Sequence, residues 1–171
     1  MRVIVGITGA SGSIYAVSLL RALFNHGIEI YGVCSSIGKE VMQTECGVGL
    51  SDFPFVNWNA ADDMSAPIAS GASCADSMVI VPCSMNTLSC VASGISNNLL
   101  QRAAAVMLKE SRKLIIVPRE TPLSIIQIES MLKLANAGAI ILPTMPGFYK
   151  NPQSIQDIVN FIVEKILTQI M

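Results

Sequence analysis

Apolar residues follow two rhythms along this chain. Predominantly apolar runs occupy residues 3–8 (VIVGIT), 28–34, 77–82 (SMVIVP), 114–118 and 139–143. Between them lie segments that read as helices, at 13–25, 37–44, 85–92, 98–109, 124–136 and 155–170. The runs read as strands buried on both faces. The first helix shows the three- and four-residue spacing of an amphipathic face, with Val17, Leu19, Leu20, Leu23 and Phe24 as its core positions. Gly94 separates the third and fourth helices, and residues 51–66, which hold the sole tryptophan, Trp58, read as irregular. Strands alternating with helices predict a parallel sheet covered on both faces, and right-handed crossovers make it a doubly wound α/β layer. No internal repeat or linker interrupts the pattern, so residues 1–171 read as a single domain. In such a layer ligands bind beyond the carboxyl ends of the strands. That rule selects residues 8–12, 34–36, 82–87, 118–122 and 143–149.

Composition sharpens this picture at the surface. Hydrophobic residues make up 51% of the chain and charged residues only 13%, against about 25% charged in an ordinary soluble domain. No run approaches the roughly 20 apolar residues of a membrane span. The apolar excess therefore points to buried subunit contacts in a homo-oligomer, the alternative being a thick, doubly covered sheet with few surface charges. Net charge is −1 and no stretch gathers Lys and Arg, which argues against a nucleic-acid partner. The five cysteines, Cys34, Cys46, Cys74, Cys83 and Cys90, form no C-x-x-C pair and are odd in number. A disulfide framework or a structural zinc site does not fit that pattern, and no metal is expected. Met1-Arg2 leads directly into the first strand without the pattern of a secretory signal, so the expected location is cytoplasmic.

Three of the selected segments carry chemistry. In Thr8-Gly9-Ala10-Ser11-Gly12 the small residues let backbone amides at a helix start approach a phosphate, and Ser11 adds a hydroxyl. A purely structural turn is the alternative, and no G-x-G-x-x-G dinucleotide fingerprint is present. In Pro82-Cys83-Ser84-Met85-Asn86-Thr87, the polar groups of Ser84, Asn86 and Thr87 sit at another helix start, suited to a phosphate or to an ordinary N-cap. Cys83 has no basic neighbour and reads as packing. In Pro118-Arg119-Glu120-Thr121-Pro122, Arg119 can pair with an anion or a carbonyl and Glu120 can move a proton, with helix capping as the alternative. Arg102 and Lys109 are seven residues apart and share a helix face, the usual arrangement of a solvated surface. Glu45, just past a helix, reads as surface. His26, the only histidine, ends the first helix ahead of Gly27, far from the selected edge, which argues against Ser-His-Asp or Cys-His catalysis.

Together these segments resemble the UbiX-type flavin prenyltransferase family, which includes the small subunits of phenolic-acid decarboxylase systems. The carriers are ITGASG at 7–12, SAPIASG at 65–71, VPCSMNTLS at 81–89, SNNLLQRAAAVMLKE at 96–110, VPRETP at 117–122 and GAIILPTMPGFYKNPQS at 138–154. The resemblance implies a Rossmann- or flavodoxin-like fold. It also implies an FMN site from Gly9, Ala10, Ser11, Ser35, Ser84, Met85, Asn86, Thr87 and Arg119. A prenyl-phosphate site at subunit junctions is implied too, from Ser70, Gly71, Arg102, Lys109, Glu120, Tyr149 and Lys165. Family members are typically dodecamers and need no metal. The implied reaction moves a dimethylallyl group from dimethylallyl phosphate to N5 and C6 of reduced FMN, and the product serves a UbiD-type decarboxylase. Cationic donors are needed on the departing phosphate, a proton donor beside it, and a dry pocket. Arg102, Lys109 and Lys165 suit the first need, Glu120 the second, and Glu45 and Ser11 complete the implied catalytic set.

Three positions depart from the family pattern: Lys165 where Arg is frequent, Ser36 where Lys is frequent, and Met64 where an aromatic is frequent. The chain also ends at Met171, short of the tail seen in many members. Two other readings share the expected sheet. An FMN-dependent cysteine decarboxylase would need a histidine near the flavin, which His26 does not supply. A non-catalytic FMN carrier would not need Glu45, Glu120, Lys109 and Tyr149.

Overall fold

A computed structural model of the protein describes residues 1–72 and 75–171, so Cys74 lies outside the described residues. Six parallel strands form one sheet: β1 (Arg2–Ile7), β2 (Glu29–Cys34), β3 (Val56–Asn59), β4 (Ser77–Cys83), β5 (Lys113–Pro118) and β6 (Ile140–Ile141). Their spatial order is β3-β2-β1-β4-β5-β6. The chain winds outward from β1 in one direction, returns, and winds outward from β4 in the other. The switch point therefore lies between β1 and β4, and a ligand is expected there.

The helices are α1 (Ser13–Asn25), α2 (Ser36–Cys46), α3 (Met85–Ala92), α4 (Leu99–Lys109), α5 (Ile125–Asn136) and α6 (Ile155–Ile170). Two apolar cores result, one on each face of the sheet. Leu19, Leu20 and Leu23 of α1 pack with Ile162 and Ile166 of α6 over Val3, Val5 and Ile7. Leu88 of α3 and Leu100, Ala103 and Met107 of α4 cover Ile4, Met78 and Ile80. Ser35, Ser84, Asn98, Ser124 and Ser154 cap α2 through α6 by accepting a backbone amide in the first turn.

Four sequence expectations change. Residues 56–59 form the edge strand β3 rather than an irregular segment. Its two asparagines disfavour a strand reading, but Gly32 of β2 admits the Trp58 ring against the backbone, where a Cβ would overlap it. The run at 139–143 pairs only at Ile140 and Ile141; Leu142 adds one bond to the Ile116 carbonyl, and Pro143 has no amide to continue. Phe24, expected in the core, is 53% exposed and stacks on Phe55 at 4.3 Å. The second helix runs on to Cys46, which places Glu45 in its last turn rather than past its end.

The apolar excess does reach the surface. On α5, Ile125, Ile126, Ile128 and Leu132 are all exposed, and Leu134 is the helix's one buried residue. No helix among the described residues is long and apolar enough to cross a membrane.

Candidate active site

The carboxyl edge of the sheet gathers the chemistry. Ile7 pairs with Cys34, so the turn after β1 lies beside Ser35, whose amide donates to the Ile7 carbonyl at 3.0 Å. Ser35 Oγ accepts from the Gly38 amide at 3.0 Å and starts α2. Across the switch point, Ser84 Oγ accepts from the Thr87 amide at 3.3 Å and starts α3. Met85 is buried there, Asn86 is exposed, and Thr87 is 7% exposed. Arg119 follows β5 and donates from Nε to the Ser11 carbonyl at 3.2 Å, tying the end of β5 to the turn after β1. Gly9, Ala10, Ser11, Ser35, Ser84, Met85, Asn86, Thr87 and Arg119 thus fall on one continuous edge.

Helix α2 roofs this edge and corrects one expectation. At its start, Ile37 packs so closely on Gly9 that a Cβ there would overlap it. At its end, Glu45 Oε2 accepts from the amides of Gly12, at 2.9 Å, and Ser13, at 2.8 Å. Gly12 adopts φ 110°, a left-handed conformation that turns the chain into α1. Two amides at the start of α1, those of Gly12 and Ser13, are therefore already met by a carboxylate of the protein, which leaves the turn of Gly9–Ser11 to face a ligand. Partial burial would raise the Glu45 pKa. Hydrogen bonds from Ser11, Gly12 and Ser13, with the charge of Arg119, outweigh that and hold it below its ordinary value. Glu45 is thus an ionised group at neutral pH, exposed as expected but held by hydrogen bonds beside Ser11 and Arg119.

Glu120 is exposed, and its Oε1 accepts from the amide of Thr121 at 3.0 Å. With Arg119, Leu123, Met131, Pro143 and Met145 it lines a cavity of about 250 Å³. Pro143 and Met145 also border a groove that continues to Lys165. There Phe161 stands between two of the predicted residues: the Tyr149 ring lies edge-on at 6.0 Å, and Lys165 Nζ is 5.8 Å from the ring centroid.

The remaining predicted residues lie elsewhere. Arg102 donates from Nε to the Ala69 carbonyl at 2.9 Å, and Arg112 from Nη2 to the Gly71 carbonyl at 3.1 Å. Arg112 precedes β5 and also reaches the carbonyl of Ala75, ahead of β4. Ser70, Gly71 and Lys109 therefore sit toward the amino ends of the strands, where Lys109 pairs with Glu110 at 2.8 Å. Glu120 lies beyond the far end of the six-residue β5, about 20 Å away along the strand. One chain does not bring the two groups together.

Cys34 and Cys83 behave as packing. Burial pushes the Cys34 thiol up to about 12 and the Cys83 thiol up further. His26 is exposed at the end of α1. Among the described residues no group of three or more metal-ligating side chains comes together. The sequence assigns no side-chain role to Thr8, although it opens the selected turn, nor to Ile37. Thr8 closed an apolar run and looked like strand, although it was the one polar residue in that run.

A doubly wound parallel sheet with hydroxyl, amide and guanidinium donors lined along its switch-point edge defines a flavoprotein layer, and the sequence profile of the flavoprotein family matches residues 1–167. The flavin prenyltransferase LpdB of Lactiplantibacillus plantarum is 49% identical over 169 residues, covering 97% of this chain and 90% of that protein. The crystal structure of AnUbiX (PadA1) in complex with FMN and dimethylallyl pyrophosphate superimposes with a TM-score of 0.97 at 38% identity, over 99% of this chain and 91% of that one. A dodecameric FMN-dependent UbiX-like decarboxylase from Escherichia coli O157:H7 gives 0.96 at 40% identity, over 99% and 94%. The chain belongs to the UbiX-type flavin prenyltransferase family.

Proposed function

We propose that this protein transfers a dimethylallyl group from dimethylallyl phosphate to N5 and C6 of reduced FMN, as a homo-oligomer whose sites are completed between subunits. The observation that carries the reading is the edge itself. Donors from four separate elements line one side of the sheet, and beside them Glu45 is held as a carboxylate. The donor set of Ser35, Ser84, Asn86, Thr87 and Arg119 fits a flavin phosphate and ring edge. When bound, reduced FMN supplies the nucleophilic nitrogen and carbon.

The chain's own residues supply the rest. Arg119 orients the flavin edge. Ionised Glu45 stabilises positive charge on the allyl unit and takes up a proton, with Ser11 beside it. Glu120 carries a proton to the departing phosphate. Ser70, Gly71, Arg102 and Lys109 hold that phosphate from a neighbouring subunit, while Tyr149 and Lys165 close the site from the far side. The exposed apolar face of α5 supports the assembly, and a dodecamer fits the assembly named for the relative from Escherichia coli. A cytoplasmic location and a UbiD-type decarboxylase as recipient of the product belong to this reading and rest on the family resemblance.

Anaerobic incubation with reduced FMN and dimethylallyl mono- or diphosphate tests it. The expected product is a flavin heavier by one prenyl unit, detected by mass spectrometry. Unmodified FMN in both incubations, with flavin bound, would favour the carrier reading instead.

A further inference from the structure

The sheet ladder stops short of the site at its most important point. Between β1 and β4 the last paired residues are Gly6 and Ile80, yet the donors lie farther on, at residues 9–11 and 84–87. One side chain bridges that gap. Thr8 is 1% exposed. Its hydroxyl donates to the Pro82 carbonyl at 2.7 Å and accepts from the Ser84 amide at 2.8 Å. The Thr8 amide adds a longer bond to the same carbonyl, at 3.3 Å. Ser84 then caps α3 and donates from Oγ to Thr87 Oγ1 at 3.1 Å.

We propose that Thr8 is the positioning residue of the FMN site: its hydroxyl locks the turn of Gly9–Ser11 to the start of α3, so that donors from two halves of the sheet form one rigid surface. The inference rests on the FMN reading given above and adds the residue that makes the surface rigid. A hydroxyl is the group required, because it donates and accepts at once. Burial alone does not produce this role. The hydroxyls of Ser13 and Ser77 are also buried and have no partner, whereas that of Thr8 is used in both directions. Valine matches the shape of threonine but offers neither function. It would leave the Ser84 amide without this partner and the Pro82 carbonyl with only the longer bond.

The test is FMN titration of Thr8→Val, Thr8→Ser and Thr8→Cys, read by flavin fluorescence and visible absorption, with Val5→Ala as a control for destabilisation of β1. Thr8→Val is expected to raise the Kd for FMN about tenfold or more and to raise the KM for FMN, with kcat at saturating FMN within about threefold of wild type. Thr8→Ser should restore binding to within about threefold, because it keeps both bonds. Val5→Ala should lower the thermal midpoint without moving the Kd. Thr8→Val binding FMN like wild type, or Val5→Ala weakening FMN as much as Thr8→Val, would overturn the proposal. Should Thr8→Val not fold, Thr8→Cys decides: its weak thiol donor should give intermediate affinity, and wild-type affinity would overturn the proposal. A wild-type protein that binds no FMN overturns the functional reading itself, and this inference with it.

Discussion

The carboxylate of Glu45 lies 2.9 Å from the amide nitrogen of Gly12, so the last turn of α2 supplies the anion at the first turn of α1. This contact joins stability to chemistry. Glu45→Gln removes a negative charge from a helix start, which is worth about 1 kcal/mol at neutral pH, less where solvent screens it. The folded-state pKa is lowered, so the contribution is complete above the unfolded value of about 4.3 and is lost as pH falls through the folded one. Thermal midpoints of wild type and Glu45→Gln should therefore differ at pH 7, draw together as pH falls below the unfolded value, and meet only below the lowered folded one. A gap that stays constant with pH would show that charge is not its origin.

Glu120→Gln is expected to keep FMN and lose transfer. The amide barely changes volume, and the flavin donors sit on other residues. Proton-transfer groups contribute about 10²–10⁴-fold, and single-turnover rates with FMN bound should fall by that range. Near wild-type turnover would move the proton-carrying role to Glu45.

Lys165→Ala should act on the prenyl donor rather than on chemistry. Its ammonium group lies 5.8 Å from the centroid of the Phe161 ring, which Tyr149 also meets, and removing the proposed phosphate contact should raise the donor KM about tenfold with kcat little changed. Lys165→Arg should keep a low KM, since a planar fork also binds phosphate. Steady-state kinetics with varied donor checks both.

The exposed face of α5 predicts that a charge there breaks the assembly. Ile126 is 68% exposed in the single chain, and Ile126→Asp would bury a carboxylate in an apolar contact. Light scattering should report a much smaller particle with unchanged circular dichroism. An unchanged mass would remove α5 from the interface.

Strand and helix positions were legible because each apolar run is long and bounded by turn residues, as at 3–8 and 77–82. The edges were not. Val56–Asn59 is short and holds two asparagines, and it becomes a strand only through a glycine on its neighbour that makes room for Trp58. The site followed the same division. Segments beyond the strand ends could be chosen by rule, which found Ser35, Ser84 and Arg119. The same rule left out Glu45, and it took in Thr8 without giving its side chain a role. Their partners are 33 and 76 residues away in the chain, and local pattern carries no trace of such distant contacts.

The distance between Lys109 and Glu120 has one more consequence. They stand at opposite edges of the sheet in every chain, so in the proposed assembly a site between subunits would draw each group from a different copy. Lys109→Ala and Glu120→Gln should each be nearly inactive alone. Chains of the two kinds, dissociated and reassembled together, form some junctions with both native groups, and the recovered activity should follow the product of the two chains' fractions, greatest at equal mixing and absent with either chain alone. In such an assembly a defective copy would harm its neighbours' sites as much as its own, and the unit on which a mutation acts would be the contact between chains rather than the chain.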